Sequence, residues 1–241
     1  MEFTLWQQIL AEFVGSLLLI YIGDGVVTNC LLDGSNGKGL GTTGIDVAWG
    51  AAVALPAFIF MDVSGAYFNP AVILGFLWRG EILLSTAAIF IVADILGMFV
   101  GSYLVYLTFL KQFQVTEDVG IKLNCFTTRP AIRDTWKNFL SELIGTTFLI
   151  YFVMEIVNTN CSQLAKACLI GTLVFGLAIC MGGCTGASLN CARDLGPRLA
   201  HTILPVHKKG SSEWDYGWIP VAGQVCASFV AAGLYMAVHW H

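Results

Sequence analysis

Charge is scarce in this chain. Only 12% of its 241 residues are Asp, Glu, Lys or Arg, where a soluble domain carries about 25%. That shortage excludes a water-facing surface over most of the length. The formal net charge of −4 is too small to attract nucleic acid or another polyanion. Eight cysteines are present, yet no two form a CxxC pair, so neither a zinc nor a redox pattern emerges. Cys180 and Cys184 are expected to be small apolar packing residues, and Cys30 and Cys125 fall in loops that could share one side of the membrane, which leaves a disulfide between them open. A phosphate-binding Gly-rich loop and a metal-ligand cluster are also missing, which argues against coupling to a nucleotide, any metal site or any cofactor. Met1 to Leu5 lacks the basic region of a cleaved signal peptide, and the apolar run that follows is too long for one. We therefore expect it to be a first span.

What the chain has in abundance is apolar sequence. Hydrophobic residues make up 56% and the mean hydropathy is +0.74, the composition of an integral membrane protein. At about 20 residues per span, the length accommodates roughly six spans with short loops. Hydropathy places them near Trp6–Val27, Ile45–Met61, Leu83–Leu110, Phe139–Val157, Ala167–Met181 and Trp218–His239. In the third, Gly97 and Gly101 are spaced for close helix packing.

One short stretch occurs twice. Aligning Gly65-Ala66-Tyr67-Phe68-Asn69-Pro70-Ala71-Val72-Ile73-Leu74-Gly75 with Gly186-Ala187-Ser188-Leu189-Asn190-Cys191-Ala192-Arg193-Asp194-Leu195-Gly196 matches Gly, Ala, Asn, Ala, Leu and Gly in register. The segments around Glu12 and Glu142 match as well, from Ala11 to Tyr21 and from Ser141 to Tyr151, so the repeat covers whole halves. The chain therefore reads as a single domain, 1–241, with halves of about 1–110 and 138–241 and a polar connector of about 111–137. Three spans per half force the halves into opposite orientations, the inverted-repeat design of a channel or transporter. The fold class is an all-α membrane protein with six transmembrane helices and two re-entrant half-helices.

Each repeated motif reads as a loop running into a half-helix, with Asn69 or Asn190 at the N-cap and Pro70 or Cys191 at the first helical position. Broken helices inside a membrane are tolerated where their freed backbone lines a cavity. The two positive helix ends would meet near the midplane, with both asparagine amides free to donate to a solute and a barrier raised against cations. The preceding residues, Gly65, Ala66 and Tyr67 in one copy and Gly186 and Ser188 in the other, offer backbone carbonyls as acceptors. Arg193 has two readings: a fixed donor at the constriction, or a structural salt bridge to Asp194 or Glu142. Trp49 reads either as interfacial packing or as the apolar side of a filter. Glu12 and Glu142 are expected to hold the re-entrant loops by accepting backbone N–H groups.

With those residues in view, the sequence resembles the aquaporin superfamily, and within it the glycerol-facilitator branch. The twin Asn motifs, the Ala-Glu-Phe-Val-Gly opening and the run Ala192-Arg193-Asp194-Leu195-Gly196-Pro197-Arg198-Leu199 carry the likeness over nearly the whole chain. Asp194, Arg198 and Pro220 match positions that set glycerol channels apart from strict water channels. The resemblance implies a selectivity filter of Trp49, Ala178, Ala187 and Arg193, a homotetramer with one pore per subunit, and both termini in the cytoplasm of a bacterial inner membrane. The charge rule points to the opposite orientation, because Lys111, Lys122, Arg129, Arg133 and Lys137 all lie in the connector. The stretch from Ala200 to Pro205 is similar to Gram-positive facilitators, some of which pass lactic acid and dihydroxyacetone. Three departures stand out: Cys191 in place of the motif proline, Ala187 in place of a filter aromatic, and Tyr67 in place of a histidine. They imply a broader filter unless the connector from Phe126 to Pro130 fills the gap.

The function expected is passive conduction of small neutral solutes and water, with glycerol foremost, and no enzymatic activity. Two rivals are an ion-coupled transporter, with Asp24, Asp46, Asp62 or Asp94 as its protonation site, and a closed-pore junction or scaffold protein.

Overall fold

The computed structural model describes residues 3–239; Met1 and Glu2, which open the amino-terminal stretch, lie outside them. Ten helices and no strands occur among the described residues. Six are long and apolar enough to cross a membrane: α1 (Leu5–Leu31), α2 (Gly41–Ser64), α4 (Leu84–Thr108), α7 (Thr135–Val157), α8 (Gln163–Thr185) and α10 (Trp214–Val238). Helices α7 and α8 start a turn ahead of their apolar cores because polar residues cap them. Asp134 accepts the N–H of Lys137 at the start of α7, and Ser162 accepts that of Ala165 at the start of α8. Thr4 and Gln7 form a reciprocal capping box at α1,. Hydropathy cannot see such residues.

Between the spans lie α3 (Pro70–Trp78) and α9 (Cys191–Ile203). At 1.5 Å per residue, the first is about 14 Å and the second about 20 Å long, too short for a hydrocarbon core of about 30 Å. Each is preceded by a span that ends on a glycine in the left-handed region, Gly65 at φ 97° and Gly186 at φ 81°. A side chain there would be strained, and the glycines let the chain turn back into the membrane. The half-helices are exchanged between the repeats: α9 packs on α4, and α3 on α10. The polar connector holds two short helices, α5 (Leu110–Val115) and α6 (Val119–Asn124); because α5 begins at Leu110, the third span ends at Thr108.

Helix α1 packs along α4 in constant register, with Ser16 donating to Asp94 at 2.9 Å and Ser102 donating to Asp24 at 3.1 Å. A Cβ on Gly97 or Gly101 would run into the α1 backbone, at the carbonyls of Phe13 and Leu17. Leu55, Ile59, Val92, Leu96 and Phe148 stand exposed on the outer faces, as lipid-facing side chains do,. Cys180 and Cys184 are exposed too, which corrects their reading as packing residues: α8 turns that stripe outward. Cys30 and Cys125 are buried and unbonded.

Candidate functional site

The two Asn motifs meet tip to tip. The Asn69 side-chain oxygen accepts the N–H of Ala71 at 3.0 Å, and that of Asn190 accepts the N–H groups of Ala192 at 3.0 Å and Arg193 at 3.2 Å. Both residues are therefore N-caps, with backbone extended at φ −156° and −150°. Their amide nitrogens reach across: Asn69 donates to the carbonyl of Leu189 at 2.8 Å, and Asn190 to that of Phe68 at 2.7 Å. This amends the expectation that the amides are wholly free. One hydrogen of each binds the opposite loop, and the other makes no hydrogen bond among the described residues,.

Ahead of each cap, the loop backbone alternates into the left-handed region at Ala66, Phe68, Ala187 and Leu189, with φ between 48° and 54°. Such residues cost about 1–3 kcal/mol each and persist only where the surroundings hold them. A buried carboxylate does so in each half. Glu12 accepts N–H groups from Tyr67 at 3.2 Å and Phe68 at 2.9 Å, and the hydroxyl of Ser64. Glu142 accepts from Ser188 and Leu189 at 3.1 Å, from the Thr185 hydroxyl at 2.6 Å and from the Gln224 amide at 2.9 Å. The two carboxylates thus take up loop N–H groups, and Gly65, Ala66, Tyr67, Gly186 and Ser188 of the same loops border one cavity. Ser64, Thr185 and Gln224 were not anticipated. Ser64 and Thr185 precede the matched glycines, so extending the repeat alignment by one position would have found them.

Along those loops runs a cavity of about 1090 Å³. Asp46, Thr42 and Arg129 line it at one end, and Asp62, Cys161 and Lys166 at the other. Both asparagines border it midway, together with Gly65, Ala66, Tyr67, Gly186, Ala187 and Ser188. Leu19, Val53, Val72, Leu149, Val153, Ile170 and Val174 supply apolar wall. Pro70, Ala71, Cys191 and Ala192 start the half-helices and are buried in protein. Tyr67 borders the cavity and meets the ring of Phe76 edge-on at 5.3 Å.

Trp49, Ala178, Ala187 and Arg193 all line this cavity. The Arg193 guanidinium lies 4.6 Å from the centre of the Trp49 ring and donates to the carbonyl of Phe126 at 2.9 Å. Its ionic partner is Asp24, at 3.0 Å, neither Asp194 nor Glu142. Asp194 faces away and is held by Arg198 at 2.7 Å and by the backbone and hydroxyl of Thr128. Arg198 also donates to the carbonyls of Ser212 and Glu213, so this buried pair ties the connector and the loop before α10 to α9. Pro220 is buried within α10, remote from these contacts in sequence.

No aromatic from the connector replaces the ring missing at Ala187. Phe126 is buried against Phe113 and His201; Thr127, Thr128, Arg129 and Pro130 border the cavity instead. Nothing stands within 4 Å of a Cβ built on Gly182 or Gly183, which line the same wall. Outside the spans, Arg129 at 2.7 Å and Arg133 at 2.5 Å converge on Glu213. Burial opposes the charge of Glu213, but the two guanidiniums outweigh it and hold the carboxyl below its ordinary range,.

The model of the major intrinsic protein family matches residues 1–235. The "Probable glycerol uptake facilitator protein" of Thermotoga maritima is 42% identical over 226 residues, 94% of this chain and 97% of that one. The D/L-lactic acid transporter of Lactiplantibacillus plantarum is 34% identical, over 95% and 98% of the two chains. The aquaglyceroporin of Plasmodium falciparum superposes with a TM-score of 0.85 at 26% identity, covering 96% of each chain.

Proposed function

The chain belongs to the major intrinsic protein family and is a passive multi-pass channel of the bacterial plasma membrane, not an enzyme; from that premise we propose glycerol and water as its principal cargo, with undissociated lactic acid and dihydroxyacetone admitted as well. The observation that carries this reading is the cavity that runs along both loops past the two helix tips, bordered by the loop residues, by both asparagines and by aliphatic side chains. A polyol must exchange every hydrogen bond it gives up to water, because an unpaired hydroxyl in apolar surroundings costs several kcal/mol. Its hydroxyls would donate to the carbonyls of Gly65, Ala66, Tyr67, Gly186 and Ser188. They would accept from the spare amide hydrogens of Asn69 and Asn190 and from Arg193. Its carbon edge would slide on Trp49 and the aliphatic wall. The positive ends of α3 and α9, with Arg193, would repel a cation or a proton travelling along a water file.

In this reading the single domain 1–241 makes one pore per chain, four chains form a homotetramer, and both termini face the cytoplasm, so that the Arg193 end opens outward. Ala178 and Ala187 leave the filter broad. Similarity to the lactic acid transporter supports that breadth. Stopped-flow swelling of proteoliposomes tests it: Ala187→Phe is expected to lower lactic acid permeation about tenfold relative to glycerol, the lower end of the discrimination available from one steric change in a pocket. An unchanged ratio would refute the broad filter. Equal swelling of wild-type and empty vesicles in glycerol would refute the channel reading itself.

A further inference from the structure

Asp24 is fully buried on α1, where a carboxylate is retained only if something pairs with it,. One oxygen accepts the Ser102 hydroxyl and the other lies 3.0 Å from the Arg193 guanidinium; Arg193 borders the cavity and Asp24 does not. Asp194, adjacent to Arg193 in sequence, cannot serve the arginine because Arg198 and Thr128 take up its oxygens. Arg193 is thus fixed at two points, by Asp24 and by the Phe126 carbonyl, with its face toward Trp49. A guanidinium carries five N–H groups, so donors remain for the lumen.

This arrangement bears on charge selection, given the pore reading above. An arginine alone at the constriction, added to two helix N-termini each worth roughly half a positive charge, makes a site that repels cations and attracts anions. In a low-dielectric wall, a negative charge 3.0 Å behind the arginine cancels most of that field at the lumen. We propose that Asp24 is the counter-ion of the filter: it orients Arg193 and neutralises it, so that small anions are excluded along with cations while neutral hydroxylated solutes pass. Asp24 is a positioning residue that sets selectivity through Arg193.

The test uses the full chain in proteoliposomes, with nitrate as the anion because its acid is fully dissociated and cannot cross as a neutral species. Glycerol swelling is recorded first on the wild type, and a protein that fails to swell overturns the pore reading and this assignment with it. Given a conducting wild type that excludes nitrate, Asp24→Asn is expected to raise the ratio of nitrate to glycerol permeation about tenfold or more, since one ring of charge decides ion selectivity in pores. Adding Arg193→Gln to Asp24→Asn is expected to abolish the nitrate leak, a reversal that simple loosening of the fold would not produce. Asp24→Asn that conducts glycerol and still excludes nitrate contradicts the proposal, as does a leak that survives loss of the arginine. If Asp24→Asn alone fails to assemble, the paired variant decides. Its assembly assigns Asp24 to compensation of Arg193, and its failure assigns Asp24 to the scaffold and overturns the proposal.

Discussion

Glu142 shows how much of the pore depends on single buried groups. Four donors converge on its two oxygens, and two of them are backbone N–H groups of a loop that holds Ala187 and Leu189 in the left-handed region. Glu142→Gln replaces an acceptor oxygen with a donor and sets it against the N–H of Leu189 or the amide of Gln224. The expected cost is about 2 kcal/mol or more, read as a lower unfolding temperature in detergent, with glycerol flux reduced at least tenfold. A variant with wild-type stability and flux would show that the loop holds itself. The glutamates are legible in the sequence because a carboxylate in a span must have a partner. The identity of a partner is much less so. The salt-bridge reading of Arg193 offers Asp194 or Glu142 as its partner, whereas the packing of both α1 and α9 on α4 brings it Asp24, far away along the chain. Pairwise electrostatics in a bundle follow helix packing, which no local pattern encodes.

At the level of elements, the seam between the halves is the crossing of α2 and α8. Gly50 and Gly171 meet there back to back: a Cβ on Gly50 would lie 2.7 Å from the Gly171 carbonyl, and one on Gly171 2.6 Å from that of Gly50. Gly50→Val must push the two spans apart, for a loss of about 1–3 kcal/mol. Thermal unfolding would register it, together with altered glycerol permeation because both helices line the cavity. An unshifted transition would mean the seam is loose. Short half-helices were recognisable from the repeated Asn motifs alone. Hydropathy would have missed α9, whose inward face carries Arg193, Asp194, Arg198 and His201, all buried. Helices α5 and α6, six residues each, are too brief to show a period and read only as polar connector.

For the molecule as a whole, inverted symmetry explains why two loops 121 positions apart arrive at one point, each cap bonding to the other loop. The connector breaks that symmetry, and its ion pairs give the assembly an acid limit. Glu213 has a carboxyl pKa below its usual 4.5 despite partial burial, because Arg129 and Arg133 flank it. A depressed pKa contributes stability that is present above the unfolded value and disappears as pH falls through the lowered one. Unfolding temperature is therefore expected to change little through this group between about pH 7 and pH 5 and to drop below about pH 4, with Glu213→Gln removing part of that drop. A wild type and variant with identical acid limbs would contradict it.

The central claim is that solute moves down its own gradient between two opposed helix ends, and glycerol flux into proteoliposomes, with and without an imposed proton gradient, tests it most directly. The account predicts swelling well above empty vesicles at a rate that a protonophore leaves unchanged. Uptake that requires the proton gradient would contradict it and would make the protein a coupled transporter.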